Sequence, residues 1–438
     1  MNPSTAQRRY LTLIALRWGA TGLVIPVQML LYTARGLDIT TIGLLVALYS
    51  ALIVALELPT GGLADLMGRR RTMLVAGVFL AAAMLAVAFS QHAWQFAGAS
   101  VLSAVGRALG SGPVESWYVD TVRAADPEAS LRAGLSRGWA VEAVALGVAA
   151  IVGGAVPQWF DAMPAGGLLV PFSIPALGAA GLAVVSMVAT ALLMTEPPRT
   201  AAPVGLGATL RGVPGQVAEG VRLAWRDPVI RLLVGRTAMI GMSLFALEIL
   251  TPLQFAALLG GPEKAAAAYG VLVTAAFLGS AAGAAAAPAL CRITARHPLS
   301  VAALATGATA LGAGLIGLAA VGPGGFVLAA GGYLLAYLAG GVPGPLANEA
   351  LHERVGATRR ATIVSVSSLA LQLGGLGGSL GAAPLAQRAG FGWGWAVAVA
   401  ALLVATVLTV AARRRVQSTP GISTSDSSAS ARIGVTEA

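Results

Sequence analysis

Gly61-Gly62-Leu63-Ala64-Asp65-Leu66-Met67-Gly68-Arg69-Arg70-Arg71-Thr72 is a charged stretch between two apolar runs, near Thr41–Gly61 and Thr72–Ser90. Each run is about 20 residues, the length a helix needs to cross roughly 30 Å of hydrocarbon. Backbone polar groups in lipid must be satisfied within the segment, so runs of this length read as transmembrane helices. The stretch between them then reads as a tight turn at the membrane surface. Gly61 and Gly62 let one helix end approach a neighbour closely, and Gly68 supports the turn. Asp65 can pair with a neighbouring arginine or accept hydrogen bonds from a helix start.

The same punctuation recurs along all 438 residues. Six runs lie near Tyr10–Tyr32, Thr41–Gly61, Thr72–Ser90, Trp94–Tyr118, Leu135–Val156 and Gly167–Met194. Six more lie near Val229–Leu259, Ala265–Leu290, Leu299–Val321, Gly325–Ala347, Ala361–Ala386 and Trp393–Ala412. Composition agrees: 57% of residues are hydrophobic and 11% charged, against roughly a quarter charged in soluble domains. The mean hydropathy is +0.79. The alternation of a membrane β-barrel strand is absent. The expected fold is an all-α membrane protein of twelve transmembrane helices in two six-helix bundles. Residues 1–194 form the first bundle, 195–228 a cytoplasmic connection, 229–412 the second bundle and 413–438 a disordered cytoplasmic tail. Within the connection, Val217, Val221 and Trp225 predict an amphipathic surface helix over Gln216–Arg226.

The basic residues test this count independently. Arg69–Arg71, Arg123, Arg132, Arg199, Arg211, Arg222, Arg226, Arg292, Arg296, Arg354, Arg359 and Arg360 fall on one set of connections. Arg8, Arg9 and Arg413–Arg415 in the tails join them, while the other set holds Arg35, Lys264 and Arg388. Positive charge stays on the cytoplasmic side, so both termini are expected there, in a multi-pass protein of the cell membrane. The net charge of +10 sits at run ends rather than on one face with aromatics between, which argues against nucleic-acid binding. Cys291 is the sole cysteine, so no intramolecular disulfide forms. The first run lacks a clear cleavage site and reads as a retained helix.

The G-x-x-x-D-x-x-G-R-R-R form of the Gly61–Arg71 turn resembles the cytoplasmic signature loop of the major facilitator superfamily, which joins its second and third helices. It occurs here in the corresponding loop of a twelve-span chain. The resemblance implies alternating-access transport, with Gly61, Asp65, Gly68 and Arg69 as a conformational latch. The second half departs from the pattern, since Ala287-Pro288-Ala289-Leu290-Cys291-Arg292 has no acid. The fourth run, Arg107-Ala108-Leu109-Gly110-Ser111-Gly112-Pro113, is similar to the family's R-x-x-x-G pattern linked to proton coupling, in compressed form. Gly147-Val148-Ala149-Ala150-Ile151-Val152-Gly153-Gly154 carries the terminal glycine pair of the drug–proton antiporter motif, with Ala149 and Ala150 in place of Gly-Pro. The group the chain most resembles is the twelve-helix drug–proton antiporters.

Ionisable residues inside spans are costly and default to functional candidates. Arg107, Glu115, Glu248, Glu142, Glu57 and Gln28 are the candidates for proton coupling or substrate contact. Pro252 can bend the helix near Glu248. Asp120 is expected to pair with Arg123 at i,i+3. Arg17 and Arg236 are expected to snorkel to the inner interface. No P-loop, metal-ligand spacing or nucleophile–base pair appears, so neither ATP hydrolysis nor enzymatic chemistry is expected. The histidines are His92, His297 and His352.

Two transport readings follow, besides a membrane enzyme or scaffold, which no motif supports. One is export of a hydrophobic or amphiphilic small molecule, such as a drug, in exchange for protons. It needs no cofactor beyond the proton gradient and is expected of a monomer in the lipid bilayer. The other is uptake or facilitated passage of a polar solute such as a sugar. That reading needs midplane asparagines, and Asn2 and Asn348, the two present, are not central.

Overall fold

The computed structural model describes residues 2–164, 166–196, 215, 218, 221–319, 323–355 and 360–418, with the side chains of 57–66, 323, 360 and 361 outside that set. The first six crossings are α1 with α2 (Pro3–Val24, Gln28–Ala34), α3 (Ile39–Met67), α4 (Arg69–Phe89), α5 with α6 (Ala93–Gly110, Pro113–Ala125), α7 (Arg132–Trp159) and α8 (Ile174–Leu193). The second six are α9 (Pro228–Leu259), α10 (Pro262–Thr294), α11 (Pro298–Gly317), α12 with α13 (Pro323–Gly341, Pro343–Glu353), α14 (Arg360–Ala389) and α15 (Phe391–Ser418).

Sequence chemistry sets many of these boundaries. Pro228, Pro262 and Pro298 sit in the first turns of their helices, where no N–H is missed. Asp227 caps α9 by accepting from the N–H groups of Val229 (2.7 Å) and Ile230 (3.2 Å). Large apolar side chains such as Val78, Val148, Val188, Leu311 and Val407 remain exposed, as on a lipid-facing surface.

Eleven crossings are long and apolar enough among the described residues to span a bilayer. The remaining one, α5 with α6, carries Gln95 and Arg107 and breaks at Ser111-Gly112, where Gly112 adopts φ +89°. The expected unbroken fourth run is thus two segments. The first and tenth runs break as well, the tenth just before Pro343. Gln216 and Val217, from the expected surface helix, lie outside the described residues. Residues 221–226 are helical, with Val221 and Trp225 exposed.

The halves repeat one another. Gly22 of α1 lies against the Leu146 carbonyl of α7, as Gly241 of α9 lies against that of Leu371 of α14. Gly153 meets the Leu23 carbonyl as Gly378 meets that of Met242. The shift is the same for both pairs on each helix, so α1 matches α9 and α7 matches α14 in register. A side chain at any of these glycines would strike backbone, so the small residue sets the helix spacing.

Between halves, α7 packs on α10 and α3 on α14. A Cβ on Gly154 would strike the Ala266 carbonyl oxygen and one on Gly270 that of Ala150, while one on Gly43 would stand 2.9 Å from that of Ser379. Thr274 Oγ1 donates to the Gly147 carbonyl at 2.9 Å. The apolar core follows this geometry. On the face away from the described termini, one cluster joins both halves, from Leu30, Tyr32 and Phe96 to Phe255, Tyr333 and Trp395. Towards the termini face the described core divides, with Tyr10, Trp117 and Tyr118 in one half and Ile230, Leu299 and Leu351 in the other. Among the described residues, the bundles therefore meet on one side and part on the other.

Gly154→Leu should lower the Tm, since overpacking of this kind costs about 1–3 kcal/mol. Gly181→Leu on α8, with open space around its Cβ, should leave the Tm unchanged. Thermal unfolding in detergent compares the two.

Candidate functional site

Below the joined core lies a cavity of about 380 Å³ lined by both halves. Its N-terminal wall carries Arg17, Gln28, Tyr49, Arg107, Ser103 and Met84; its C-terminal wall carries Glu248, Tyr269, Phe277 and Tyr337. A groove of about 540 Å³ between α1, α7 and α8 is lined by Ala, Gly, Leu and Val alone and offers no polar group.

Each polar side chain is placed by its helix. Arg107 sits on α5 just before the break, and its repeat mate Tyr337 stands at the same spacing ahead of Pro343. The break exposes the Gly110 carbonyl, and Arg17 Nη1 of α1 donates to it. Arg17 thus faces the cavity instead of snorkelling to the interface. Arg236, its mate on α9, does not snorkel either: it is 5% exposed. Its Nε finds no acceptor, and it forms no ion pair among the described residues.

Glu248 is exposed while its neighbours Leu247 and Ile249 are buried, so its carboxyl faces the cavity rather than the bundle interior. Arg107 lies within electrostatic reach of Glu248, with the Tyr49 hydroxyl beside the guanidinium. No ion pair joins Arg107 to Glu248. The two opposite charges therefore face one another from different bundles across the cavity. Behind Glu248 the wall is aromatic: Tyr333 and Tyr337 have ring centroids 4.8 Å apart, and Phe277 and Tyr337 5.8 Å. Gln28 Nε2 donates to the Tyr32 hydroxyl at 2.7 Å, so part of its polar capacity is used within the wall.

Other candidates lie apart from this group. Glu142 of α7 is half-buried and within electrostatic reach of Arg17, Glu115 and Arg107, without lining the cavity. Glu115 is exposed in the first turn of α6, beyond the break, and does not line the cavity. The side chains of Glu57, Gly61 and Asp65 lie outside the described residues. At the turn between α3 and α4 Gly68 adopts φ +94° and its carbonyl accepts from Thr72 Oγ1 at 2.8 Å. Arg69 Nη1 stands 2.7 Å from Asp120 Oδ2. Asp120 thus pairs across helices, not with Arg123, because the break swings α6 under the start of α4. Arg70 N donates to Glu196 Oε1 at 2.5 Å, and its guanidinium to the Ala191 carbonyl, which ties the turn to the end of α8.

Sequence reasoning missed Tyr49, Tyr269, Phe277 and Tyr337. Tyr49 and Tyr337 stand in mid-span, away from the interfacial belt that accounts for aromatics at span ends. That position was the available signal.

Two helical bundles around a shared, mostly apolar cavity with charged groups on both walls form the architecture of a secondary transporter. The sequence model described as Major Facilitator Superfamily matches residues 10–379, and the chain belongs to that family. No curated protein sequence matches the chain. Among solved structures, the nucleoside transporter NupG is similar with a TM-score of 0.73 and 13% identity, over 95% of this chain and 100% of that one. A bacterial homologue of the iron transporter ferroportin in an inward-facing state gives 0.73 and 14%, over 94% and 99%. A POT family transporter in complex with 5-aminolevulinic acid gives 0.69 and 15%, over 94% and 97%. These likenesses establish the shared fold.

The Arg69–Asp120 pair is 26% and 47% exposed, which screens it. A double-mutant cycle with Arg69→Gln and Asp120→Asn, read by thermal unfolding, should return a coupling of at most about 1 kcal/mol.

Proposed function

We propose that this protein is a proton-coupled exporter of small hydrophobic or amphiphilic molecules, working by alternating access in the cytoplasmic membrane. In this reading both termini are cytoplasmic, and the termini face, where the bundles part, is the inner face. The observation that carries the proposal is Glu248, an acid inside a span, exposed to the shared cavity and opposed by Arg107 of the other bundle. A carboxyl so placed takes a proton or a ligand according to which way the cavity faces. The degraded antiporter motif supports export: Gly153 packs on α1 and Gly154 on α10, so the pair holds α7 between its own bundle and the other. Mostly apolar walls, with Met29, Met73, Met84, Met187 and Phe277 among the lining residues, suit an apolar cargo body.

Turnover requires the contacts on the joined face to open while the parted face closes. On the inner face the turn from Gly61 to Arg71 is the proposed latch. Asp65 is its acid, Gly68 its turn residue, and Arg69 is held by Asp120 in this conformation. Rigid rocking of one bundle against the other passes the cavity from one side to the other. The transport species is a monomer, using protons and no ATP.

In proteoliposomes, Glu248→Gln should abolish the dependence of export on the proton gradient, and unchanged coupling would place the proton elsewhere. Asp65→Asn should cut transport at least tenfold at wild-type membrane levels; transport at the wild-type rate would remove the latch.

A further inference from the structure

The cavity carries opposite charges on opposite bundles, and among the described residues no ion pair joins them across the gap. On the N-terminal wall, Arg17 is engaged by the Gly110 carbonyl and has Glu142 within electrostatic reach. Arg107 is exposed, with the Tyr49 hydroxyl beside it and with Arg17 and Glu142 of its own bundle within electrostatic reach, and it makes no ion pair among the described residues. On the C-terminal wall, Glu248 is exposed among the rings of Tyr269, Phe277 and Tyr337 and makes no ion pair among the described residues. A carboxylate against aromatic faces suits an ammonium group, through charge and through cation–π attraction. A guanidinium suits a carboxylate or phosphate in a forked, two-bond contact.

We propose that the cavity selects dipolar substrates, with an anionic group held by Arg107 on the first bundle and an amine held by Glu248 on the second. The apolar body of the substrate lies against Met29 and Met84. This rests on the reading above that the cavity is the transport site, and it narrows the cargo from amphiphiles in general to amphiphiles carrying both charges. A dipolar ligand has a further consequence, because it bridges the two bundles. A singly charged ligand satisfies one wall and leaves the charge on the other wall without a partner.

The test uses three fluorescent probes sharing one fluorophore and one alkyl body. One head is an amino-acid zwitterion, one a trimethylammonium and one a carboxylate. Binding to the purified full-length protein is read by fluorescence anisotropy, and transport is read in proteoliposomes. The zwitterionic probe should bind at least tenfold tighter than either of the others. Arg107→Gln should bring its affinity down to that of the trimethylammonium probe, and Glu248→Gln to that of the carboxylate probe. Each variant should leave the affinity of the probe whose charge meets the remaining wall within twofold of wild type. Equal or tighter binding of the trimethylammonium probe to the wild type overturns the inference. So does loss of all three probes in a variant that keeps the wild-type Tm. The underlying reading fails separately. Zwitterion-selective binding without proton-driven transport of any probe supports the dipolar site and removes the exporter, whereas proton-driven export of the trimethylammonium probe alone does the reverse.

Discussion

The close approach of backbones between α7 and α10, and between α3 and α14, is the contact on which the rest of the molecule depends. Lipid tails are as apolar as leucine, so hydrophobic burial does little to hold one membrane helix against another. What remains is van der Waals contact at short range, and that requires small residues. Gly154, Ala266 and Gly270 supply them on one side of the cavity; Gly43, Ser379 and Ala383 supply them on the other. Among the described residues these contacts lie on one face, and the described core is continuous there and divides towards the termini. The cavity exists because of that one-sidedness, and so does the possibility of rocking. A large side chain in the seam would hold the halves apart, whereas an equivalent seam on the other face would hold them shut.

Helix breaks are the second determinant. In α5–α6 and in α12–α13 a proline begins the segment nearer the termini, and the backbone ahead of it lacks the regular ladder. The freed Gly110 carbonyl takes up Arg17, so a main-chain group replaces a carboxylate as the nearest partner of a guanidinium inside the bundle. The same break turns α6 so that Asp120 meets Arg69. One interruption in the fourth crossing thus fixes both a cation of the cavity and an ion pair at the membrane surface.

Most of the fold was legible in the sequence, because a backbone in lipid has few alternatives and apolar run length reports crossings directly. All twelve expected runs correspond to helices or helix pairs, including the alanine-rich eighth, now α10. The breaks were less legible. Pro113 and Pro343 stood in view, but a membrane helix often tolerates proline, and run length alone does not tell a kink from an interruption. The site was half legible. Arg107, Glu248 and Gln28 line the cavity as an intramembrane charge or amide suggests. Glu115 and Glu142 do not, since the break moved one beyond the cavity and the packing of α7 turned the other aside. The partner of Asp120 was missed because i,i+3 spacing is a local rule, while the observed ion pair depends on how two helices meet.

The internal repeat shows how unlike the two halves have become within one shared frame. The register that matches Gly22 with Gly241 also matches Arg17 with Arg236. The register that matches Gly153 with Gly378 places Ser367 where the first half has Glu142. In the first half an arginine, an acid and a helix break form one connected group beside the cavity. In the second the arginine persists without a described counter-charge, and both Arg236 Nε and Ser367 Oγ are buried without a partner among the described residues. A lone buried guanidinium is unfavourable in any bundle, so the second half is the less settled of the two around this point. Among the described residues, the one acid the second half presents to the cavity, Glu248, sits further along the same helix, where Met29 is its counterpart in the first. The repeats differ in charge so that, among the described residues, each wall of the cavity carries a single sign. That asymmetry lets a symmetric scaffold tell the two ends of a cargo apart.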